Sequence, residues 1–133
     1  MHTQQEACEL IRKFSRQIER LYPNEKPDAV LFGSYARGEA EEGSDIDVLY
    51  LVDAPRSVIA EHAWQVGSAA ADLLLEHGVL ISPIVENRAY FAENAALLPF
   101  FRNIEQEGVK VDGTQRFLQD VTNYLDRERE VDN

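Results

Sequence analysis

A mixed α/β (α+β) domain, with a small mixed β-sheet flanked by helices, is the fold class that the sequence predicts. Apolar residues recur at three- and four-residue steps over residues 7–21 and again over residues 58–74, which is typical of amphipathic helices. Short apolar runs bounded by turn residues lie between these stretches and after them. The 133 residues suit one domain, because domains commonly have about 100–150 residues. We therefore treat 1–133 as a single domain.

The first half of the chain predicts a helix, a strand, a turn and a second strand. The helix carries its apolar face at Ala7, Leu10, Ile11, Phe14, Ile18 and Leu21. A breaker at residues 22–24 ends it, and the apolar run at 29–32 predicts a buried strand. A short helical stretch at 35–38 and an acidic loop at 39–44 then lead into a second predicted strand at 45–52.

A second long helix and a third strand follow. The helix over residues 58–74 has a broad apolar face and ends before Gly78, the residue type expected just past a helix C-terminus. Residues 79–85 read as a strand that contains Pro83. Because proline cannot donate a hydrogen bond to a neighbouring strand, Pro83 favours either an edge position or a bulge.

The last third of the chain is predicted to be mainly helical. Residues 89–107 read as two helical pieces around Leu98-Pro99, and residues 109–111 are too short to assign. Thr114 can cap a C-terminal helix, so residues 115–133 are predicted to form that helix and a charged tail.

Charge and cysteine content exclude several classes of partner. The chain has 13 basic and 24 acidic residues, which give a net charge of −11. Direct binding of nucleic acid needs clustered Lys and Arg side chains, so we expect no nucleic-acid partner. The single cysteine, Cys8, cannot form a disulfide within the chain, and no Cys/His set has zinc spacing. No signal peptide and no apolar run of ~18 residues is apparent, so we expect a cytoplasmic protein with no membrane partner.

Asp45 and Asp47 are the first candidate site residues. They lie two apart at the start of a predicted strand, so their carboxylates leave the same face, while Ile46 and Val48 point to the core. Two adjacent carboxylates repel each other unless a cation lies between them, and hard oxygen ligands suit Mg²⁺. The alternative is that Ser44-Asp45 forms a turn and Asp47 happens to face solvent at the sheet edge.

Gly33-Ser34 is the second candidate. It follows an apolar strand and opens a short helix, so backbone N–H groups and the Ser34 hydroxyl can hold an anion. The alternative is a tight turn with a helix N-cap. Because only a short loop separates this turn from the two aspartates, the combination favours a site for metal and phosphate together.

Residues 30–52 resemble the nucleotidyltransferase superfamily typified by DNA polymerase β. The pattern G-S-x-A-x-G-x-A-x-x-x-S-D-x-D, from Gly33 to Asp47, is similar to that of the minimal nucleotidyltransferase (MNT) proteins of prokaryotes. The order of elements extends the resemblance over about residues 5–111 and implies a polymerase β-like nucleotidyltransferase fold. The G-K-[ST] pattern of a P-loop is not present.

The resemblance implies a role for each motif residue. Gly33 and Ser34 would hold the β- and γ-phosphates of ATP, with Ser44 also at the nucleotide. Asp45 and Asp47 would be the catalytic pair that holds two Mg²⁺ ions. The reaction that this implies is transfer of a nucleoside monophosphate with release of pyrophosphate. Arg37 would reach the triphosphate or instead form an ion pair with one of the acids of the loop, Glu39, Glu41 or Glu42.

The sequence departs from the family at the third strand. Active members place a third carboxylate there, and the aligned position is Ser82, which cannot serve as that ligand. Glu86 lies on the same face but about 13 Å further along, at ~3.3 Å per residue. We expect it to be too far away unless Pro83 creates a bulge.

The MNT resemblance also implies a partner. MNT proteins act as antitoxins of HEPN-domain ribonucleases, which they bind and modify with AMP on a tyrosine. The net charge of −11 would steer the chain towards a basic protein. An apolar stripe could dock such a partner or pack on its own domain: Phe117, Leu118, Val121, Tyr124 and Leu125. Two other functions stay open, a binding module without catalysis and a transferase for small molecules such as aminoglycosides.

Overall fold

A computed structural model describes residues 3–111. The helix, apolar stripe and charged tail predicted beyond residue 114 lie outside the described residues. Within them the elements, in chain order, are α1 (Gln4–Leu21), β1 (Asp28–Phe32), α2 (Ser34–Arg37), β2 (Ile46–Val52), α3 (Arg56–His77), β3 (Ile81–Asn87), α4 (Arg88–Asn94), α5 (Pro99–Glu107) and β4 (Val109–Lys110). None of the helices in this part of the chain is long and apolar enough to cross a membrane.

The sheet is mixed, as predicted. Its strand order is β3-β2-β1-β4, with β1 antiparallel to both β2 and β4, and β2 parallel to β3. A parallel pair needs a crossover connection, and α3 provides it between β2 and β3. The two central strands are β1 and β2, so both of their edges are paired with neighbouring strands.

Two apolar clusters cover the two faces of the sheet. On one face α1 and α3 pack against alternate residues of β2, which include Ile46 and Val48 as predicted. On the other face α4 and α5 pack against Leu49 and Leu51 of the same strand. Side chains alternate along a strand, so Asp47 belongs to the second face. It lies at the end of that face, just beyond the apolar cover.

The ends of α1 and the fit of its inner face follow local chemistry. Thr3 and Glu6 form a capping box, in which each side chain accepts from the backbone N–H of the other residue. The inner face holds Ile11 and Ile18, both fully buried. The Tyr50 hydroxyl of β2 crosses the interface to Ser15 Oγ (2.8 Å) and donates to the carbonyl oxygen of Ile11 (3.3 Å).

Several predicted boundaries shift by one or two residues. The second strand begins at Ile46 rather than Asp45, and the third spans Ile81–Asn87 rather than 79–85. Of the two options for Pro83, the structure shows the edge position, since β3 is an outer strand. The register runs regularly past it, with Pro83 opposite Val48, and there is no bulge. The two helical pieces predicted around Leu98-Pro99 are α4 and α5, and the second begins at Pro99.

Residues 109–110, which the sequence alone left unassigned, form the short strand β4. Lys110 pairs with Val30, and Val109 pairs with Leu31. So short a strand is defined by its partner and not by its own composition. Its consequence is that the end of α5 is held beside the end of β1.

Candidate active site

The site lies where β1 ends and β2 begins. These strands are antiparallel and Phe32 pairs with Asp47, so the turn after β1 lies directly beside the first residues of β2. An open cleft of about 480 Å³ is formed there. Its lining comprises Phe32, Gly33, Ser34, Arg37, Ser44, Asp45, Asp47, Phe100, Asn103, Ile104 and Glu107. All six residues singled out from the sequence therefore share one cleft.

Glycine is required at position 33 for two reasons. Its backbone has φ +76° and ψ −155°, a region that is essentially open to glycine alone. A Cβ built on Gly33 would also overlap Asp47 Oδ2 and lie 3.1 Å from Asp47 Cγ. The chain thus turns in direct contact with the Asp47 carboxylate.

The helix α2 begins immediately after this turn. Gly33 is its N-cap residue, and no side chain caps its first turn. The tight turn and N-cap of the alternative interpretation are therefore present, with Gly33 at the cap, and they leave the anion-binding role of the turn a prediction. Arg37 N–H donates to the carbonyl oxygen of Gly33 (3.1 Å), which closes the single turn. Gly38 ends α2 in the left-handed conformation, with φ +73°.

Asp45 and Asp47 enter the cleft as a crowded pair of carboxylates. Asp45 immediately precedes β2, and Asp47 is its second residue. Burial raises the pKa of Asp47, and the charges of Asp45 and Glu107 raise it further, while Arg37 opposes the shift. Ionised Asp47 is therefore poorly stabilised by its surroundings, and a bound cation would stabilise it.

Ser44 has a local partner as well as a place in the cleft. Its Oγ accepts from the N–H of Glu41 (2.8 Å), and its own N–H donates to the carbonyl oxygen of Glu41 (3.0 Å). These two bonds close the acidic loop immediately before Asp45. The observed contacts thus place Ser44 in a loop-closing role beside the carboxylate pair.

Arg37 forms ion pairs with two glutamates. Its Nε lies 3.0 Å from Glu39 Oε2, which was one of the predicted partners, and its Nη1 lies 3.1 Å from Glu107 Oε2. Hydrogen bonds to Glu39 and then to Glu107 raise the pKa of Arg37. The guanidinium remains at the cleft, where its charge acts on Asp47.

Five cleft residues were not identified as site residues from the sequence: Phe32, Phe100, Asn103, Ile104 and Glu107. The last four belong to α5 and follow one helical face at steps of three and four residues. That spacing is visible in the sequence, but only the pairing of β4 with β1 shows that this face turns towards Gly33. Among them, Glu107 makes the most specific contact, since its Oε1 accepts from the N–H of Gly33 (3.0 Å).

Ser82 occupies the position predicted for a third acid. It pairs with Asp47 in the register of β2 and β3, and its Oγ donates to Asp45 Oδ2 (2.9 Å). Glu86 lies opposite Leu51 and forms an ion pair with Arg56 (3.3 Å). The expectation that Glu86 is too far away to replace the acid is therefore confirmed.

The donor set of the cleft fits Mg²⁺ bound together with a phosphate. Within residues 3–111 no group of three or more His, Cys, Asp or Glu side chains could hold a metal ion by itself. Mg²⁺ is commonly held by one or two carboxylates and by oxygens of a substrate phosphate. Asp45 and Asp47 provide two such carboxylates in the lining of an open cleft.

Solved structures of toxin–antitoxin complexes show a loose similarity in shape. One is a crystal structure of a toxin–antitoxin with AMP-PNP. The matched chain is 19% identical in sequence to this chain, with a TM-score of 0.43, and the match covers 87% of this chain and 92% of the other. Another contains tri-AMPylated Shewanella oneidensis HEPN toxin with MNT antitoxin, at 18% identity and a TM-score of 0.45, covering 97% of this chain and 94% of its own.

Similarity in sequence is more informative. The family model described as "Nucleotidyltransferase domain" matches residues 11–112. Two proteins of Methanocaldococcus jannaschii, each named "putative protein adenylyltransferase", are also similar. MJ0141 is 31% identical over 106 residues, which is 80% of this chain and 99% of its own length. MJ0604 is 34% identical over 98 residues, 74% of this chain and 90% of its own length. The chain therefore belongs to the nucleotidyltransferase family, whose substrate is a nucleoside triphosphate.

Proposed function

We propose that this chain is a Mg²⁺-dependent adenylyltransferase that transfers AMP from ATP to a hydroxyl group of a partner protein. The observation that carries the proposal is the contact between the Gly33 turn and Asp47. It puts an anion-binding turn and a pair of carboxylates side by side in one cleft. A triphosphate held at the turn would thus have its α-phosphate beside the carboxylates.

Each motif residue has a role in this reaction. Gly33 and Ser34 would form the turn that holds the β- and γ-phosphates, and Asp45 and Asp47 would hold two Mg²⁺ ions. When bound, the ions supply charge stabilisation for the attacking and leaving oxygens. The acceptor oxygen forms a bond to the α-phosphorus as the bond to the β-phosphate oxygen breaks. The hydroxyl proton is released to solvent, and pyrophosphate leaves.

A protein acceptor is supported by the relatives and by the charge of the chain. MJ0141 and MJ0604 are both named as protein adenylyltransferases, and the motif from Gly33 to Asp47 resembles that of MNT antitoxins. A net charge of −11 favours association with a basic protein surface. We therefore propose a tyrosine of a HEPN-type toxin ribonuclease as the acceptor, with the chain acting as its antitoxin.

Label transfer tests the proposal. The chain is incubated with Mg²⁺, a candidate acceptor protein, and ATP labelled at either the α- or the γ-phosphate. The first acceptor to be tested is the protein encoded by the adjacent gene. We expect the acceptor to retain α-label and not γ-label, and Asp45→Asn or Asp47→Asn to abolish transfer with the fold intact. Retention of γ-label, or full transfer by both variants, would contradict the proposal.

Ser82 favours a second candidate function, a module that neutralises its partner by binding alone. Without a carboxylate opposite Asp47, the site lacks one ligand that active members of the family have. This function predicts tight association with the partner and no incorporated label. Ser82→Asp separates the two cases, since a large gain in transfer would show that serine had replaced a working acid.

A further inference from the structure

Glu107 links the end of α5 to both ends of α2, a helix that is distant from it in the sequence. It is the last residue of α5, and its Oε1 accepts from the N–H of Gly33 (3.0 Å), 74 positions away. The same carboxylate accepts from Arg37 Nη1 through both oxygens, at 3.3 Å and 3.1 Å. Its side chain is 22% exposed, so these bonds are partly shielded from water.

The backbone around Glu107 is itself fixed. The N–H of Gly108 donates to the carbonyl oxygen of Ile104 (2.8 Å), which closes the end of α5. Immediately afterwards Val109 and Lys110 pair with β1, the strand that leads into Gly33. The carboxylate therefore projects from an anchored position rather than from a free loop.

The two groups that Glu107 contacts, the Gly33 turn and the Arg37 side chain, are able to adopt other conformations. The Gly33 turn adopts a backbone conformation of high energy for most residues. The Arg37 side chain is 44% exposed, and a long exposed side chain loses rotamer freedom when it is fixed. A charge-assisted hydrogen bond to each can hold both in place before a nucleotide binds.

We infer that Glu107 is a positioning residue, which holds the Gly33 turn and the Arg37 guanidinium in the geometry that receives the triphosphate beside Asp47. The inference rests on the proposed function, and it adds a residue outside the Gly33–Asp47 motif. Glu107 acts through Gly33 and Arg37, since both of its carboxylate oxygens are already bonded to these two residues.

The test compares Glu107→Ala and Glu107→Gln with a control on the same helix, Glu105→Ala. Glu105 does not line the cleft. Binding of a non-hydrolysable ATP analogue with Mg²⁺ is measured by calorimetry, transfer by α-label, and folding by thermal denaturation. We expect Glu107→Ala to weaken binding about tenfold, the effect of losing one charge-assisted bond. Glu107→Gln should recover most of the binding because its amide oxygen can still accept from Gly33 N–H, and Glu105→Ala should behave as wild type.

A double-mutant cycle separates positioning from a general loss of stability. If Glu107 acts partly through Arg37, the losses in Glu107→Ala and Arg37→Ala will not add in the double variant. Should Glu107→Ala fail to fold, the smaller loss in Glu107→Gln and its cycle with Arg37→Ala give the same readout.

Unchanged binding and transfer in folded Glu107→Ala would overturn the inference alone. Tighter binding would overturn it too, because it would mean that the carboxylate competes with phosphate for the turn. Wild-type protein that binds no analogue at any Mg²⁺ concentration would overturn the proposed function and this inference with it.

Discussion

Replacement of Gly33 by alanine should abolish nucleotidyl transfer at a moderate cost in stability. The backbone conformation at Gly33, with φ +76° and ψ −155°, costs about 1–3 kcal/mol for a residue with a side chain. The new Cβ would also overlap Asp47 Oδ2 and lie 3.1 Å from Asp47 Cγ and 3.3 Å from Asp47 Cβ. Either the turn or the carboxylate must therefore move. Because a misplacement of about 1 Å in a catalytic site can cost about a hundredfold in rate, we expect at least that loss of transfer.

Gly38→Ala is the matched control for this prediction. Gly38 also has a positive φ of +73°, but nothing lies within 4 Å of a Cβ built there. The control should lose about 1–2 kcal/mol of stability through backbone strain alone and keep its transfer activity. Unfolding by urea and transfer of α-label are measured on both variants. Near wild-type transfer by folded Gly33→Ala would refute the claim that the close approach of Gly33 to Asp47 builds the site.

Three further predictions follow from single contacts. Asp47→Asn should be more stable than wild type near neutral pH without Mg²⁺, because burial and Asp45 raise the pKa of Asp47 and ionisation is therefore unfavourable in the folded state. Because the folded pKa is raised, the free energy of unfolding of the wild type falls relative to that of the variant as the pH rises from the ordinary Asp pKa of 3.8 through the folded pKa. Denaturant unfolding at several pH values measures this difference in free energy. A difference that stayed constant with pH would contradict the prediction. Ser82→Ala removes the hydroxyl that donates to Asp45 Oδ2. It should lower the rate of transfer about fivefold, which is equivalent to one hydrogen bond of about 1 kcal/mol. A steady-state rate of label transfer equal to that of the wild type would argue against a role for this bond. Tyr50→Phe removes the hydroxyl that joins β2 to Ser15 and Ile11 of α1. It should lower the free energy of unfolding in urea by about 1 kcal/mol without affecting nucleotide binding. An unchanged free energy of unfolding would mean that solvent replaces these hydrogen bonds freely.

The parts of the fold that the sequence predicts are those set by local pattern. Turn residues and apolar runs locate the helices and the first three strands, because each element buries a face with its own period. The proximity of Gly33 to Asp47 is also predictable, since a short connection between adjacent strands brings the end of one to the start of the next.

The contribution of α5 depends on contacts between residues far apart in the chain. Glu107 has no neighbour in sequence that marks it as a site residue, and its bond to Gly33 spans 74 positions. The strand β4 has two residues and exists as a strand only because β1 offers it free backbone groups. Similarly, the choice of Arg37 between phosphate and acidic partners could not be made from the loop alone, since one of its two partners is on α5.

The central claim is that Asp45 and Asp47 bind divalent cations together with a nucleotide held at the Gly33 turn. Mn²⁺ can replace Mg²⁺ as a paramagnetic probe, and electron paramagnetic resonance then measures the cations bound per chain. The account predicts that a non-hydrolysable ATP analogue increases Mn²⁺ binding by wild type and that Asp45→Asn with Asp47→Asn abolishes this increase. Equal Mn²⁺ binding by wild type and the double variant, with or without the analogue, would contradict it.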